Sequence, residues 1–382
     1  MLIRDALIYG EDFAARRGDL AVRDGKIAAI GERLDPGAWG EVLDARGARL
    51  LPGFIDIHVH GGLGYAASDA TDASLDAISR LLAAGGVTSF CPALGAAPPE
   101  SLEAAFRAVG QFMGRERGAY IHGVHMEGPF LAAAQRGAQD PRYMRWPSAE
   151  EVRRLRRLAP VSVLGMAPEL PGALALAREM SPHVRVAVAH SAATYEEARA
   201  GLEAGFSHAV RLFCDMPPLH PRAPGPVGAI FDDPAATAEL VCDGAHLHPA
   251  VVRMVFRLLG EDRAVAVSDA AAAAGLPEGA YRIHGVEYLR ADGAVYTDGG
   301  RALAGGSASL YEGLRNLLSW GIGEGAALRA VSINPARVIG VHESAGSVAL
   351  GKAADLLLAG EDWGLRAVMI RGVLQDGLQK VA

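Results

Sequence analysis

The sequence predicts an α/β fold, namely a (β/α)8 TIM-like barrel with a small β-sandwich domain built from both chain termini. Three observations lead to this prediction. Short apolar runs alternate with helical stretches through the middle of the chain, which is typical of parallel strands joined by helices. Both ends are instead rich in short strands and turns. Several apolar runs end in a histidine or an acidic residue, and the carboxyl ends of barrel strands form the active face.

Length and composition exclude several classes of protein. A chain of 382 residues allows two or three domains of about 150 residues, or one large barrel with an accessory domain. The net charge of −7 argues against nucleic acid as a partner. The three cysteines fit neither a disulfide framework nor a zinc finger. No apolar run reaches the ~18 residues of a membrane span, and the first residues lack a signal-peptide pattern, so we expect a cytoplasmic enzyme.

The two ends of the chain are expected to pair into one small domain. Residues 2–10, 18–31 and 41–53 read as strands, and Asp24-Gly25 is a hairpin turn signal because both positions favour positive φ. Residues 346–360 and 365–377 show the same pattern of short strands and turns. Since neither end is long enough for a core of its own, residues 1–51 plus 344–382 form the predicted β domain and residues 52–343 the predicted barrel.

The barrel prediction depends on eight strands with helices between them. Strands are predicted near 54–60, 87–92, 120–127, 161–168, 184–190, 207–213, 239–242 and 264–269. Helices are predicted near 72–84, 100–114, 149–158, 195–204, 249–259, 309–320 and 325–332. Side chains at the strand ends would then converge although they are scattered over some 200 residues of sequence.

Candidate metal ligands lie at these strand ends. His58 and His60 are two residues apart on a strand, so both rings point to the same side; a hydrogen-bonded histidine pair is the alternative. Glu127 is the natural carboxylate ligand, with a buried ion-pair partner as its alternative, and His190 ends the fifth strand. Asp269 can exchange a proton with water and a leaving amine. These residue types suit Zn²⁺ or Fe²⁺.

Two further features concern substrates. The middle of the chain has no lysine, which excludes a lysine nucleophile or a carbamylated metal ligand there. Arg222, together with His246 and His248, could bind an anion such as phosphate, for which Arg offers a bidentate donor. Ordinary loop polarity is the alternative for these residues.

The motifs together resemble the amidohydrolase superfamily, and more narrowly the N-acetylglucosamine-6-phosphate deacetylase family. The matching segments are 52–64, 85–94, 123–131, 168–169, 189–205, 224–230, 243–249, 268–270, 303–317, 334–341 and 351–358. The resemblance covers essentially the whole chain. It implies a barrel with a small β domain, a homodimer, and removal of the acetyl group from a 6-phosphorylated N-acetyl amino sugar.

The resemblance also implies roles for individual residues. His58, His60, Glu127 and His190 match metal-site positions, and Asp269 matches the catalytic acid/base. Arg222 and His246 match positions that meet the substrate phosphate, which in this family involves a neighbouring subunit.

The chain departs from the family pattern at three places near the expected site. Arg211 stands where the family has a metal-binding histidine, and an always-protonated guanidinium cannot ligate a metal. Cys214-Asp215 replaces an Asn-Ala pair that touches the sugar. Gln139 replaces a histidine that helps to polarise the amide carbonyl.

Our hypothesis is that these changes move the metal. One ion per chain would be held by the two histidines at 58 and 60, with Glu127 and Asp269 in reach. Arg211 would place a fixed positive charge at the missing metal position and act in catalysis, either by pairing with Glu127 or by polarising a carbonyl. Two alternatives remain: an amidohydrolase with a different N-acyl or related substrate, favoured by Asp215, and a metal-deficient protein that only binds sugar phosphates.

Overall fold

A nearly closed barrel of eight parallel strands forms the centre of the molecule. The computed structural model describes residues 1–300 and 302–375. The barrel strands, in order around the barrel, are Phe54–Val59, Val87–Leu94, the pair Tyr120–Ile121 and Val124–Met126, Val161–Met166, Arg185–Val188, Phe206–Ala209, Thr237–Val241 and Ala264–Val267. Neighbours pair in parallel, and a single bridge between Val59 and Ala270 joins the first strand to the residues after the eighth. The predicted barrel fold is confirmed.

Helices pack outside the barrel between these strands. They span Asp72–Ala84, Pro99–Phe112, Ala149–Arg156, Ala173–Met180, Tyr195–Glu203, Gly225–Asp232, Pro249–Leu259, Leu310–Ser319, Glu324–Val331 and Ile333–Val338. Capping residues fix several starts: Thr71 accepts a hydrogen bond from the backbone N–H of Ser74, and Thr194 with Glu197 forms a capping box. The helices at 173–180, 225–232 and 333–338 were not predicted.

The predicted strands run too far at their carboxyl ends. Seven of the eight end one to four residues before the predicted limit, as the fifth does at Val188 rather than at residue 190. The third strand is also interrupted at Gly123, whose φ of 143° and close approach to Ser162 leave no room for a side chain. The chain therefore bends out of the sheet where the candidate site residues begin.

The chain termini form one separate sheet. Its strands are Leu2–Tyr9, Ala15–Arg23, Lys26–Gly31, Val42–Asp44, Arg49–Pro52, Leu356–Ala359, Leu365–Ile370 and Val373–Leu374. Both ends contribute because Arg49–Pro52 pairs antiparallel with Leu356–Ala359. The expected β-sandwich thus takes the form of one continuous eight-stranded sheet, with its own small apolar cluster. The last seven residues of the predicted domain, 376–382, lie outside the described residues.

A four-stranded antiparallel sheet, which was not predicted from the sequence, follows the eighth barrel strand. Its strands are Gly279–Ile283, Val286–Ala291, Ala294–Thr297 and Ala302–Gly306. The Asp292-Gly293 pair in its second turn has positive φ at both residues, and this dipeptide is the signal that could have revealed the hairpin.

Short elements complete the described chain. Two short strands, Gly61–Gly62 and Tyr65–Ala66, pair with each other after the first barrel strand. Turns of 3-10 helix cover Pro36–Ala38, Ala67–Asp69, Ala133–Gln135, Pro141–Tyr143 and Asp298–Gly300. Among the described residues, every helix is too short or too polar to span a membrane.

Candidate active site

Two histidines and two acids meet at the carboxyl end of the barrel. The Nε2 atoms of His58 and His60 are 3.1 Å apart. The Glu127 carboxylate lies 3.3 Å from Nε2 of His58 and 3.4 Å from Nε2 of His60. Oδ1 of Asp269 lies 3.5 Å and 3.4 Å from the same two nitrogens. Residues from the first, third and eighth barrel strands thus face one point.

The geometry of this group fits a divalent metal ion. A tetrahedral ion with bonds of about 2.0–2.1 Å separates its ligand atoms by about 3.3–3.4 Å. The separations of 3.1–3.5 Å observed here match that spacing. Both oxygens of Asp269 are buried and have no hydrogen-bond partner. A buried carboxylate in this state is stabilised by a nearby cation. His60 is the most accessible member, with 30% of its side chain exposed to the cleft.

Glu239 orients His58 from behind, a role that was not predicted from the sequence. Its Oε2 lies 2.8 Å from Nδ1 of His58, and its Oε1 lies 3.2 Å from Nε2 of His208. Burial disfavours a charged His58, but Glu239 and Glu127 together raise its pKa to about 10. The opposite ring nitrogen, Nε2, which faces His60 and Glu127, therefore attracts a cation, either a proton or a metal ion. A carboxylate behind a ligating histidine is a common feature of metal centres.

Arg211 fills the space beside this group. Its Nη2 lies 2.8 Å from Oε1 of Glu127, 2.8 Å from Nε2 of His190 and 3.1 Å from Oδ2 of Asp215. Its Nη1 lies 3.5 Å from Oδ2 of Asp269. Burial opposes the charge, but the carboxylates, Glu127 foremost, hold the pKa of Arg211 well above its usual value. The guanidinium is therefore a permanent cation inside the site.

Three of these residues have strained backbones. His190, Arg211 and Asp269 have φ values of 43°, 43° and 50°, in the left-handed region that non-glycine residues avoid. Each follows the end of a barrel strand by two residues. The strain turns the side chain inward after the strand has ended, and such strain is concentrated at functional sites. Residue 211 therefore faces inward through a turn, whereas the sequence predicted a strand over 207–213.

The site opens into a cleft of about 410 Å³. The antiparallel sheet at 279–306 supplies part of its wall through Tyr288 and Leu303, and small residues line the side next to the second strand. Clefts of this size accommodate small molecules.

The predicted substrate-binding residues fall into two groups. Gln139 and Asp215 line the cleft. The Gln139 amide donates to Oε2 of Glu127 at 2.9 Å and accepts from the backbone N–H of Ala96 at 2.7 Å. Cys214 is outside the cleft lining in the described part of the chain, and burial raises the pKa of its thiol to about 12. A protonated thiol there is not a nucleophile.

Arg222 and His246 do not come together to form a phosphate site within a single chain. Arg222 is on an exposed loop and, among the described residues, is not part of the cleft lining. The His246 side chain is 2% exposed; its Nδ1 lies 2.6 Å from Asp243 and its Nε2 lies 3.4 Å from Asp269. His246 therefore contacts the candidate acid/base, and its predicted contact with phosphate stays a prediction.

An eight-stranded parallel barrel with histidines and acids gathered at its carboxyl end defines a class of metal-dependent hydrolases. Residues 49–374 match the model of the amidohydrolase family, and the chain belongs to that family.

Two similar proteins of known name identify a narrower group within the amidohydrolase family. The N-acetylgalactosamine-6-phosphate deacetylase of Escherichia coli O157:H7 is 35% identical over 363 residues, which cover 93% of this chain and 94% of that protein. The N-acetylglucosamine-6-phosphate deacetylase of Vibrio furnissii is 33% identical over 356 residues, covering 92% and 88%. The resemblance predicted from the sequence motifs is confirmed.

Solved structures agree with this relationship. The crystal structure of N-acetyl-D-glucosamine-6-phosphate deacetylase from Mycobacterium smegmatis matches with a TM-score of 0.89 and 32% identity, covering 98% of this chain and 99% of that chain. A mutant from the same organism, in complex with N-acetyl-D-glucosamine-6-phosphate, matches with a TM-score of 0.88 and 32% identity, covering 98% of both chains.

Proposed function

We propose that this protein is a metal-dependent amidohydrolase that removes the acetyl group from an N-acetylated amino-sugar phosphate, with N-acetylglucosamine 6-phosphate as the leading substrate. The observation that carries the proposal is the convergence of His58, His60 and Glu127 at the barrel mouth, with Oδ1 of Asp269 3.5 Å and 3.4 Å from the two histidines. The deacetylase names of the curated relatives support the substrate class.

The metal would be held by these four residues. Their nitrogen and carboxylate donors suit Zn²⁺ or Fe²⁺. When bound, such an ion supplies a Lewis acid that polarises the acetyl carbonyl and makes water easier to deprotonate.

Asp269 is the residue best placed to move the proton. Its Oδ1 faces the two histidines, while its Oδ2 faces Arg211 and His246. Burial alone would raise its pKa, but Arg211, together with His246 and His60, holds it well below the usual value, so Asp269 starts as a carboxylate. It takes a proton from water as the water oxygen bonds to the carbonyl carbon. It returns that proton to the sugar nitrogen as the C–N bond breaks, which yields acetate and the free amine.

Other residues would orient the substrate. Gln139 and Asp215 border the cleft and offer an amide and a carboxylate to the sugar or the acetamido group. Arg211 stabilises negative charge that develops on the carbonyl oxygen. Arg222 would bind the phosphate of a substrate held in a neighbouring subunit, and its exposed position outside its own cleft supports this arrangement and a homodimer. A phosphorylated substrate, which does not cross membranes freely, supports a cytoplasmic location.

A second candidate substrate is N-acetylgalactosamine 6-phosphate. The E. coli relative is named for that activity, and Asp215 is an acceptor for a sugar hydroxyl at the cleft. Comparing kcat/KM for the two epimers decides between them, because a site that hydrogen-bonds one hydroxyl discriminates against the epimer that misplaces it.

Acetate release from both phosphosugars and from unphosphorylated N-acetylglucosamine, by protein loaded with Zn²⁺ or Fe²⁺, tests the proposal. We expect metal-dependent turnover of at least one phosphosugar and much weaker turnover of the unphosphorylated sugar. Binding of phosphosugars without turnover, with every divalent metal supplied, would instead support a protein that only binds them.

A further inference from the structure

We infer that this chain binds one divalent ion, on the His58 side of the site, and that the Arg211 guanidinium permanently occupies a second cation position beside His190. The inference deepens the proposed function: it rests on the proposed metal site but does not depend on the substrate.

The lone pair of His190 that could ligate a metal is already used. Its Nδ1 donates to the backbone carbonyl of Gln135 at 2.8 Å. That bond fixes the proton on Nδ1 and leaves Nε2 as an acceptor. Nε2 then accepts from Nη2 of Arg211 at 2.8 Å. The nitrogen is therefore satisfied by an N–H group, where a metal centre would present it to an ion.

Glu127 connects the two halves of the site. Its carboxylate faces the nitrogens of His58 and His60 on one side, and its Oε1 lies 2.8 Å from Nη2 of Arg211 on the other. In a two-ion site such a carboxylate would bridge two metals. Here it bridges one metal position and one guanidinium, so Arg211 acts as a positioning residue for Glu127.

The departures from the family pattern form one connected unit. Asp215 lies 3.1 Å from Nη2 of Arg211, and Gln139 donates to Oε2 of Glu127 at 2.9 Å. Gly137, with a φ of 54°, lets its loop lie so close to Asp215 that a Cβ would be 2.5 Å from a carboxylate oxygen. The new arginine therefore comes with an additional carboxylate that neutralises it and an amide that fixes the bridging glutamate.

The charges around Arg211 make its position stable. Three carboxylates, Glu127, Asp215 and Asp269, lie within 3.5 Å of its nitrogens, and only 13% of its side chain is exposed. A second divalent ion would have to displace this paired cation and leave it buried without partners, which is strongly unfavourable.

Metal content of the substrate-free protein tests the inference. After chelation and reconstitution with Zn²⁺, mass spectrometry of the metal should give one ion per chain. His58→Gln and His60→Gln should each reduce the content to near zero after gel filtration, whereas His190→Gln should leave it at one. Two ions in the native protein, or loss of the ion in His190→Gln, would overturn the inference.

A gain of the second ion is the complementary test. Arg211→His should bind two ions, and the Co²⁺-loaded variant should show spin-coupled electron paramagnetic resonance absent from the native protein. Arg211→Gln, the matched control, removes the charge without adding an imidazole and should stay at one ion. Adding His190→Gln to Arg211→His should return the content to one. A folded Arg211→His variant that binds only one ion contradicts the inference, whatever substrate the protein hydrolyses.

Discussion

The Nδ1 atom of His58 lies 2.8 Å from Oε2 of Glu239, with both side chains fully buried. This contact turns the other ring nitrogen of His58 toward His60, Glu127 and Asp269. The precision of the candidate metal site therefore depends on a residue that makes no contact with the cleft.

Replacing Glu239 tests this dependence. Glu239→Gln should lower the affinity for Zn²⁺ by about 10- to 100-fold, because the neutral amide holds the His58 ring less firmly and makes its Nε2 a poorer donor. Competition with a chromogenic chelator measures the change. The control is Glu324→Gln, which alters a carboxylate that accepts a hydrogen bond from Tyr9 outside the site. This control should leave the affinity for Zn²⁺ unchanged. Equal affinities for native protein and Glu239→Gln would rule out the orienting role.

Asp269→Asn should remove the proton carrier. An amide cannot accept the proton of water, so kcat should fall by about 100- to 10,000-fold. Substrate binding by the metal-loaded variant, measured by calorimetry, should stay within a few-fold of native. The control is Asp76→Asn: Asp76 lies on an outer helix, where its carboxylate pairs with Arg117. This variant should keep the native kcat. Full activity of Asp269→Asn would exclude the role.

Arg222→Ala tests the phosphate contact across a dimer. We expect KM for the phosphorylated sugar to rise about 10- to 100-fold with kcat little changed, because a charge-assisted hydrogen bond remote from the reacting bond is lost. KM for the unphosphorylated sugar should not move. Arg107→Ala, on an outer helix, is the control. An unchanged KM for the phosphosugar would show that Arg222 does not meet the phosphate.

His246→Gln separates two roles for that residue. Its 3.4 Å contact with Asp269 predicts that kcat falls about 10-fold or more, since a charged contact is lost beside the reacting atoms. The predicted role at the phosphate would instead raise KM. Steady-state kinetics on the phosphosugar distinguishes these outcomes, and a pure KM effect would refute the role at Asp269.

Much of this structure could be predicted from the sequence because the patterns that specify it are local. The alternation of apolar runs with helical stretches placed the helices at 72–84 and 249–259 at the limits seen in the structure. Histidines and acids at strand ends identified the metal-site candidates, because barrel topology brings strand ends together.

The remaining features arise from contacts between distant parts of the chain. Glu239 looked like a strand residue, and only the closed barrel brings it behind His58, 181 residues away in sequence. The backbone at Arg211 departs from strand geometry under tertiary constraint, which alternation cannot reveal. His246 was assigned to an anion site with Arg222 and to phosphate by the resemblance, whereas its pairing with Asp243 and Asp269 follows only from the fold.

Anomalous X-ray diffraction from crystals of the Zn²⁺-loaded protein, at the zinc edge, tests the metal centre most directly. We expect one strong peak per chain, about 2.0–2.2 Å from Nε2 of His58, Nε2 of His60 and a Glu127 oxygen, with Asp269 in reach. A peak at His190, or crystals without any peak among these side chains, would rule out a metal ion held by the two histidines.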